Sequence, residues 1–146
     1  MAFRFRFQTL LKVRRIQEDL ARQAFAQAQK QLAAISAMED QVRAHRELAA
    51  ARLVTGLSDG MPALEVRRFY EYLSHLDDSL ARLKEAFDKA ERLLEERRSG
   101  LVEARKAHRI MQRLREIHLG RHVFAEDRRE MNFIDEIAVT KAGGER

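Results

Sequence analysis

From Val66 onward, apolar residues fall alternately three and four positions apart: Val66, Phe69, Leu73, Leu76, Leu80, Leu83, Phe87, Ala90 and Leu94. An unbroken heptad of this length predicts a coiled-coil helix. Upstream, Leu10, Val13, Leu20, Ala24, Ala28, Leu32, Ile35, Met38, Val42, Ala49 and Leu53 recur at spacings of three, four or their sums, as one helix face requires. Between the two stripes, from Thr55 to Pro62, the chain collects Gly56, Ser58, Asp59, Gly60 and its only proline. The pattern therefore predicts an all-α fold in which two long helices form an antiparallel coiled-coil hairpin. Helix one spans about 7–53, the turn about 55–62 and helix two about 64–140, making helix two the longer. The chain reads as one domain over 1–146, and Gly143 and Gly144 predict fraying after Thr140.

Beyond Ser99 and Gly100 the apolar stripe re-forms on Ile110, Leu114, Ile117, Phe124, Met131 and Ala138, one position out of the earlier register. Such a shift predicts local unwinding there. At 1.5 Å per residue, helix two reaches about 110 Å and helix one about 70 Å, so a rod with an overhang at the termini is expected. Many positions in the stripe of helix one are alanine, which lets backbones approach closely and buries little area. Large-to-small changes at Leu73 or Leu80 are expected to cost about 2 to 5 kcal/mol.

Composition agrees with long exposed helices. Charged residues make up 35% and aromatics 7% of the 146 residues, and there is no tryptophan, too little for a conventional globular core. The absence of cysteine excludes a disulfide framework and thiolate metal ligation, and it suits a reducing compartment. No apolar run approaches the roughly 18 to 20 residues of a membrane span, and no cleavable leader pattern follows the start. The expectation is a cytoplasmic protein without a transmembrane segment.

Catalytic chemistry finds little footing. His118 and His122 have the i, i+4 spacing of helical zinc ligands, but Gly120 lies between them, and neither a general-base glutamate nor a cysteine accompanies them. They read as surface histidines. The neighbouring carboxylates Asp77 and Asp78, and Glu95 and Glu96, point in different directions from a helix and cannot flank one bond. No phosphate loop or nucleophile elbow is present. No enzyme, metal or cofactor is expected.

Binding is better supported. The start, Met1-Ala-Phe-Arg-Phe-Arg-Phe, carries Arg4, Arg6, Lys12, Arg14 and Arg15 before the first acid, Glu18. A turn centred near Asp59 sets Arg14 beside Glu103 to Arg105, where helix two is also basic. The terminal end of the hairpin is therefore positive, which suits an acidic socket, with phenylalanines as anchors and arginines as steering charge. Near the turn, Phe69, Tyr70, Tyr72, Leu73 and Leu76 offer more apolar surface than a two-stranded seam hides, and Tyr72 cannot share that seam with Phe69 and Leu73.

The N-terminal run Phe3-Arg-Phe-Arg-Phe-Gln-Thr-Leu-Leu-Lys-Val-Arg and the C-terminal run Arg128-Arg-Glu-Met-Asn-Phe-Ile-Asp-Glu-Ile-Ala resemble the two ends of the FliJ family of flagellar export proteins. The resemblance covers nearly the whole chain. It implies a non-enzymatic stalk of the flagellar type III export apparatus whose terminal end enters the pore of a hexameric export ATPase. The positions implied in that contact are Phe5, Arg6, Phe7, Leu10, Arg14, Arg15, Arg128 and Ile134. The family also contacts the linker and cytoplasmic domain of the export gate, and the matching positions are Tyr72, Leu76 and Ser79. A family histidine one turn further on is Leu83 here. The implied location is the cytoplasmic face of the cell membrane, with export chaperones as further partners.

Three other readings stay open on the residues. They are the equivalent stalk of a virulence secretion system, a basic nucleic-acid-binding coiled coil, and a homodimeric structural coiled coil.

Overall fold

A computed structural model of the chain describes residues 2–144. The fold is all-α, with α1 over Gln8–Ser58 (51 residues) and the longer α2 over Ala63–Gly143 (81 residues), joined by one turn. By contacts the chain divides into two units. One holds Ala21–Leu101; the other holds Met1–Leu20 with Val102–Arg146.

In the unit containing the turn, the two helices pack antiparallel along the predicted stripe of α2. Val66, Phe69, Leu73, Leu80, Leu83, Phe87 and Leu94 are half-buried, and Leu76 and Ala90 are buried. The facing stripe of α1 is also a strict heptad: Ala21, Phe25, Ala28, Leu32, Ile35, Glu39, Val42, Arg46, Ala49, Leu53 and Gly56 are all covered. It differs from the apolar stripe anticipated, because Glu39 and Arg46 occupy two of its positions. Leu20 and Met38, expected in the stripe, lie beside it and are exposed, next to Ala21 and Glu39.

The charged seam residues are held by carboxylate or guanidinium partners. Arg46 donates from Nε to Asp77 Oδ1 and from Nη2 to Asp77 Oδ2, the latter at 3.3 Å, in a two-pronged bond across the helices. Glu39 accepts from Arg43 within its own helix at 2.6 Å. The Arg98 guanidinium stacks 5.9 Å from the Phe25 ring.

The turn is built from two devices. α1 continues past Leu53, with Asp59 N–H donating to Thr55 O at 3.1 Å, while the hydroxyls of Thr55 and Ser58 donate to the carbonyls of Ala51 and Val54, at 3.1 and 3.3 Å, and so do not compete for the turn backbone. It then stops in a Schellman cap: Met61 N–H donates to Gly56 O at 2.8 Å, and Gly60 takes the left-handed conformation with φ 83°. The Met61 side chain lies over Gly56, where a Cβ would come within 2.0 Å of Met61 Cε. Pro62 opens α2, its carbonyl accepting from Glu65 and Val66 at 3.0 and 3.1 Å.

Two expectations are corrected. α2 stays helical through Ser99 and Gly100 without unwinding. The re-formed stripe is not the seam, since Ile110, Ile117, Phe124, Met131 and Ala138 are exposed and only Leu114 is half-buried. The earlier register runs on unchanged and places Leu101, Ala104, His108, Met111, His118 and His122 in buried or half-buried positions. Helix geometry kept the count where apolarity jumped by one residue. α2 also extends beyond Thr140 to Gly143, and residues 145 and 146 of the tail expected to fray lie outside the described ones.

No described side chain is more than 98% buried, so the packing energy is spread thinly. We expect Leu76→Ala to cost about 2 to 3 kcal/mol, at the low end for a core leucine. Gly60→Ala should cost about 1 to 2 kcal/mol through left-handed strain. Urea denaturation followed by circular dichroism measures both. The hydrogen bond from Arg46, ahead of its charge, holds the Asp77 carboxyl below its usual range. That stabilisation is present above the ordinary carboxylate pKa and is lost as pH falls through the depressed one. Melting temperature should therefore drop more between pH 7 and pH 3 in the native chain than in Asp77→Asn.

Candidate binding surface

The unit that holds both termini differs chemically from the one that holds the turn. Residues 1–20 and 102–146 contain 15 Lys or Arg against 10 Asp or Glu, whereas residues 21–101 contain 13 against 13. The entire net charge of +5 therefore lies in the terminal unit. α1 begins there with no acid in its first turn to offset its positive end.

Inside this unit the seam is polar and aromatic. Its buried or half-buried positions include Leu11, Arg14 and Glu18 on α1 and Ala104, His108, Met111, His118 and His122 on α2. Glu18 is the one buried charged residue among those described, and α2 holds it twice: His108 Nδ1 lies 2.5 Å from Oε2 and Arg105 Nε 3.6 Å from Oε1. A carboxylate taken from water needs such partners. Because Glu18 meets Arg105 and His108, Arg14 one turn earlier lies about one turn beyond the Glu103 to Arg105 segment anticipated for it. The cause is the turn, which occupies residues 59–62 and so has its centre past the Asp59 expected.

The segment before α1 is pinned by its phenylalanines. Phe5 is buried, with its ring edge-on to His118 at 5.5 Å and to Phe7 at 5.9 Å. Phe3 tilts against His122 at 5.6 Å and receives the Arg115 guanidinium at 5.9 Å. His118 and His122 are thus half-buried ring partners, not the surface residues expected. His122 Nε2 also lies 3.2 Å from Glu126 Oε1. Among the described residues no group of three or more His, Cys, Asp or Glu could hold a metal ion. No described helix is long and apolar enough to cross a membrane.

The positions implied for the ATPase contact all fall in this unit, in different settings. Arg6, Phe7, Leu10, Arg15, Arg128 and Ile134 are exposed, with Arg6 stacked on the Phe7 ring at 5.6 Å. Arg14 is half-buried and donates to Gln17 at 3.1 Å, and Phe5 is turned inward. Arg15 and Lys12 line an open groove of about 480 Å³ with Arg115, His108 and Gln112. Of the three gate positions, in the other unit, Tyr72 is exposed, Ser79 is half-buried 3.5 Å from Arg82 Nη2, and Leu76 is buried in the seam. Met1 of the N-terminal run lies outside the described residues.

Sequence reasoning passed over the seam roles of Glu18, His108 and His118. Counting three and four onward from Leu94 reaches Leu101, Ala104, His108, Met111, Arg115, His118 and His122, so the register itself was the signal.

The geometry defines a class: a two-helix antiparallel coiled-coil protein with a basic terminal unit and grooves open to solvent. The chain belongs to the FliJ family, the model of the flagellar FliJ protein matching residues 3–146. A solved structure described as a YscO homolog, CT670, of Chlamydia trachomatis is similar in fold. The TM-score is 0.53 and the identity 20%, over 94% of this chain and 93% of that one. No curated protein sequence matches.

Replacing Glu18 by Ala should cost about 2 kcal/mol, the range for a charge-assisted hydrogen bond, by denaturant titration. Phe5→Ala should free the segment before α1, seen as faster amide exchange at Gln8 and Leu11, whose N–H groups bond Phe5 O and Phe7 O at 3.2 and 2.9 Å.

Proposed function

We propose that the chain is a non-enzymatic stalk of the flagellar type III export apparatus that binds a hexameric export ATPase through its terminal unit. The observation that carries this reading is the last stretch of α2. From Asp127 to Gly144 every residue is exposed, and Met131, Phe133, Ile134, Ile137 and Val139 point around most of the helix circumference. Apolar side chains on several faces of one helix need a partner that encloses it, as the pore of a ring does. The excess positive charge in the same unit favours an acidic lining. Family membership supports the flagellar system over a virulence one.

Exposed Phe7, Leu10 and Ile134 are the apolar contacts in this reading, with Arg6, Arg15 and Arg128 as the steering charges. Phe5 and Arg14 act indirectly, by fixing the segment that presents them. A thin asymmetric stalk makes unequal contacts with the subunits of a ring, and so biases assembly or sequential hydrolysis through differential binding. The turn end would reach the export gate, with Tyr72 as the exposed contact and Leu76 and Ser79 supporting the helix beneath it. The chain would then work at the cytoplasmic face of the membrane, where export chaperones are further candidate partners.

ATPase turnover of the matching hexamer, measured with and without the chain, tests the stalk. Addition should raise the rate or the hexamer fraction, and Phe133→Ser with Ile134→Ser should abolish most of that gain with the helix content unchanged. No effect of the native chain on either quantity refutes the reading. Loss of gate-domain binding in Tyr72→Ala, measured by calorimetry, tests the other end.

A further inference from the structure

Ile110, Ile117, Phe124 and Met131 repeat every seven residues along α2 and are 66%, 41%, 67% and 65% exposed. Their row lies outside the seam, whose residues in the same stretch are Met111, His118 and His122. Arg113, Arg121 and Arg128 each stand three or four positions from two members of the row and so share its face, as do Leu114, Gly120 and a single acid, Asp127. Arg113 holds Glu116 at 3.0 Å, while Arg121 and Arg128 form no ion pair among the described residues.

We propose that this face docks an acidic amphipathic helix of a partner protein. Apolar side chains at seven-residue spacing on that helix would meet the Ile110 to Met131 row, and its Asp or Glu residues would meet Arg121 and Arg128. Sustained seven-residue spacing is the pattern one helix offers another, and charges flanking it choose the partner. The chain already contains such an arrangement, since Arg46 at a heptad position of α1 takes both carboxylate oxygens of Asp77 from the facing helix. The row runs over 22 residues, 110–131, about 32 Å of helix and enough for three heptads of contact.

A second copy of this chain fits poorly, because it would set arginine against arginine in a unit that already carries the whole positive charge. A bilayer also fits poorly: the row is narrow and Asp127 stands on its face, whereas an interfacial helix presents a broad apolar face edged by cations. The proposal does not rest on the stalk reading. It shares with the terminal contact only Met131 and Arg128.

The test uses the full chain and a fluorescent helical peptide of about four heptads, with leucine at seven-residue spacing and glutamate beside it. Anisotropy should report saturable binding that a scrambled peptide of the same composition does not show. Phe124→Ser, and separately Arg121→Glu with Arg128→Glu, should weaken it at least about tenfold. A peptide with lysine in place of glutamate should regain binding to the double arginine variant. All three positions are exposed, and an unchanged circular dichroism spectrum verifies folding. Equal binding of native and scrambled peptides, or indifference to both variants, overturns the proposal. So does Phe124-dependent binding to phosphatidylglycerol vesicles without peptide binding, which would assign the face to lipid. ATPase stimulation involves no peptide, so either reading can fail alone.

Discussion

The heptad register is the constraint from which the rest follows. On α1 it runs from Leu11 to Gly56 and on α2 from Val66 to His122, three and four residues at a time, whatever residue type falls on it. Where the position holds alanine, as at Ala28, Ala49 and Ala90, the backbones approach closely and little side chain is buried. Where it holds a charge, a partner is needed, and Arg46 with Asp77 and Glu18 with His108 and Arg105 supply it. Such pairs add little net stability, but they penalise a slipped register, because a shift by one residue would leave each charge unmatched.

A seam this narrow leaves most large side chains at the surface, and the two units use that surface differently. The turn unit is electrically balanced and presents tyrosines at positions 70 and 72. The terminal unit holds the net charge, an aromatic clasp between Phe3, Phe5 and the histidines of α2, and a last stretch of helix whose described residues are all exposed.

The fold was legible because the apolar stripe of α2 and the glycine and proline elbow are both strong local signals. The seam of α1 was only partly legible, since Arg14, Glu18, Glu39 and Arg46 occupy positions where apolar residues are sought. In the later part of α2 the difficulty was the reverse. Ile110, Ile117 and Phe124 form a row at the right spacing on the wrong face, while the true positions carry histidines that looked like surface residues. The stop of α1 lies later than the pattern predicts because Thr55 and Ser58 read as loop formers, whereas their hydroxyls here bond carbonyls one turn back within the helix. The binding positions were identified by family likeness, which does not distinguish an exposed Phe7 from an inward Phe5.

That no described side chain is more than 98% buried has a thermal consequence. The heat capacity of unfolding arises mainly from apolar surface newly exposed to water, and here much of that surface is wet already. The increment per residue should fall below the roughly 12–15 cal/mol/K of globular domains. The stability curve flattens accordingly: the hairpin melts over a broad range and resists cold better than a compact protein of equal midpoint, because it has less hydrophobic driving force to lose on cooling.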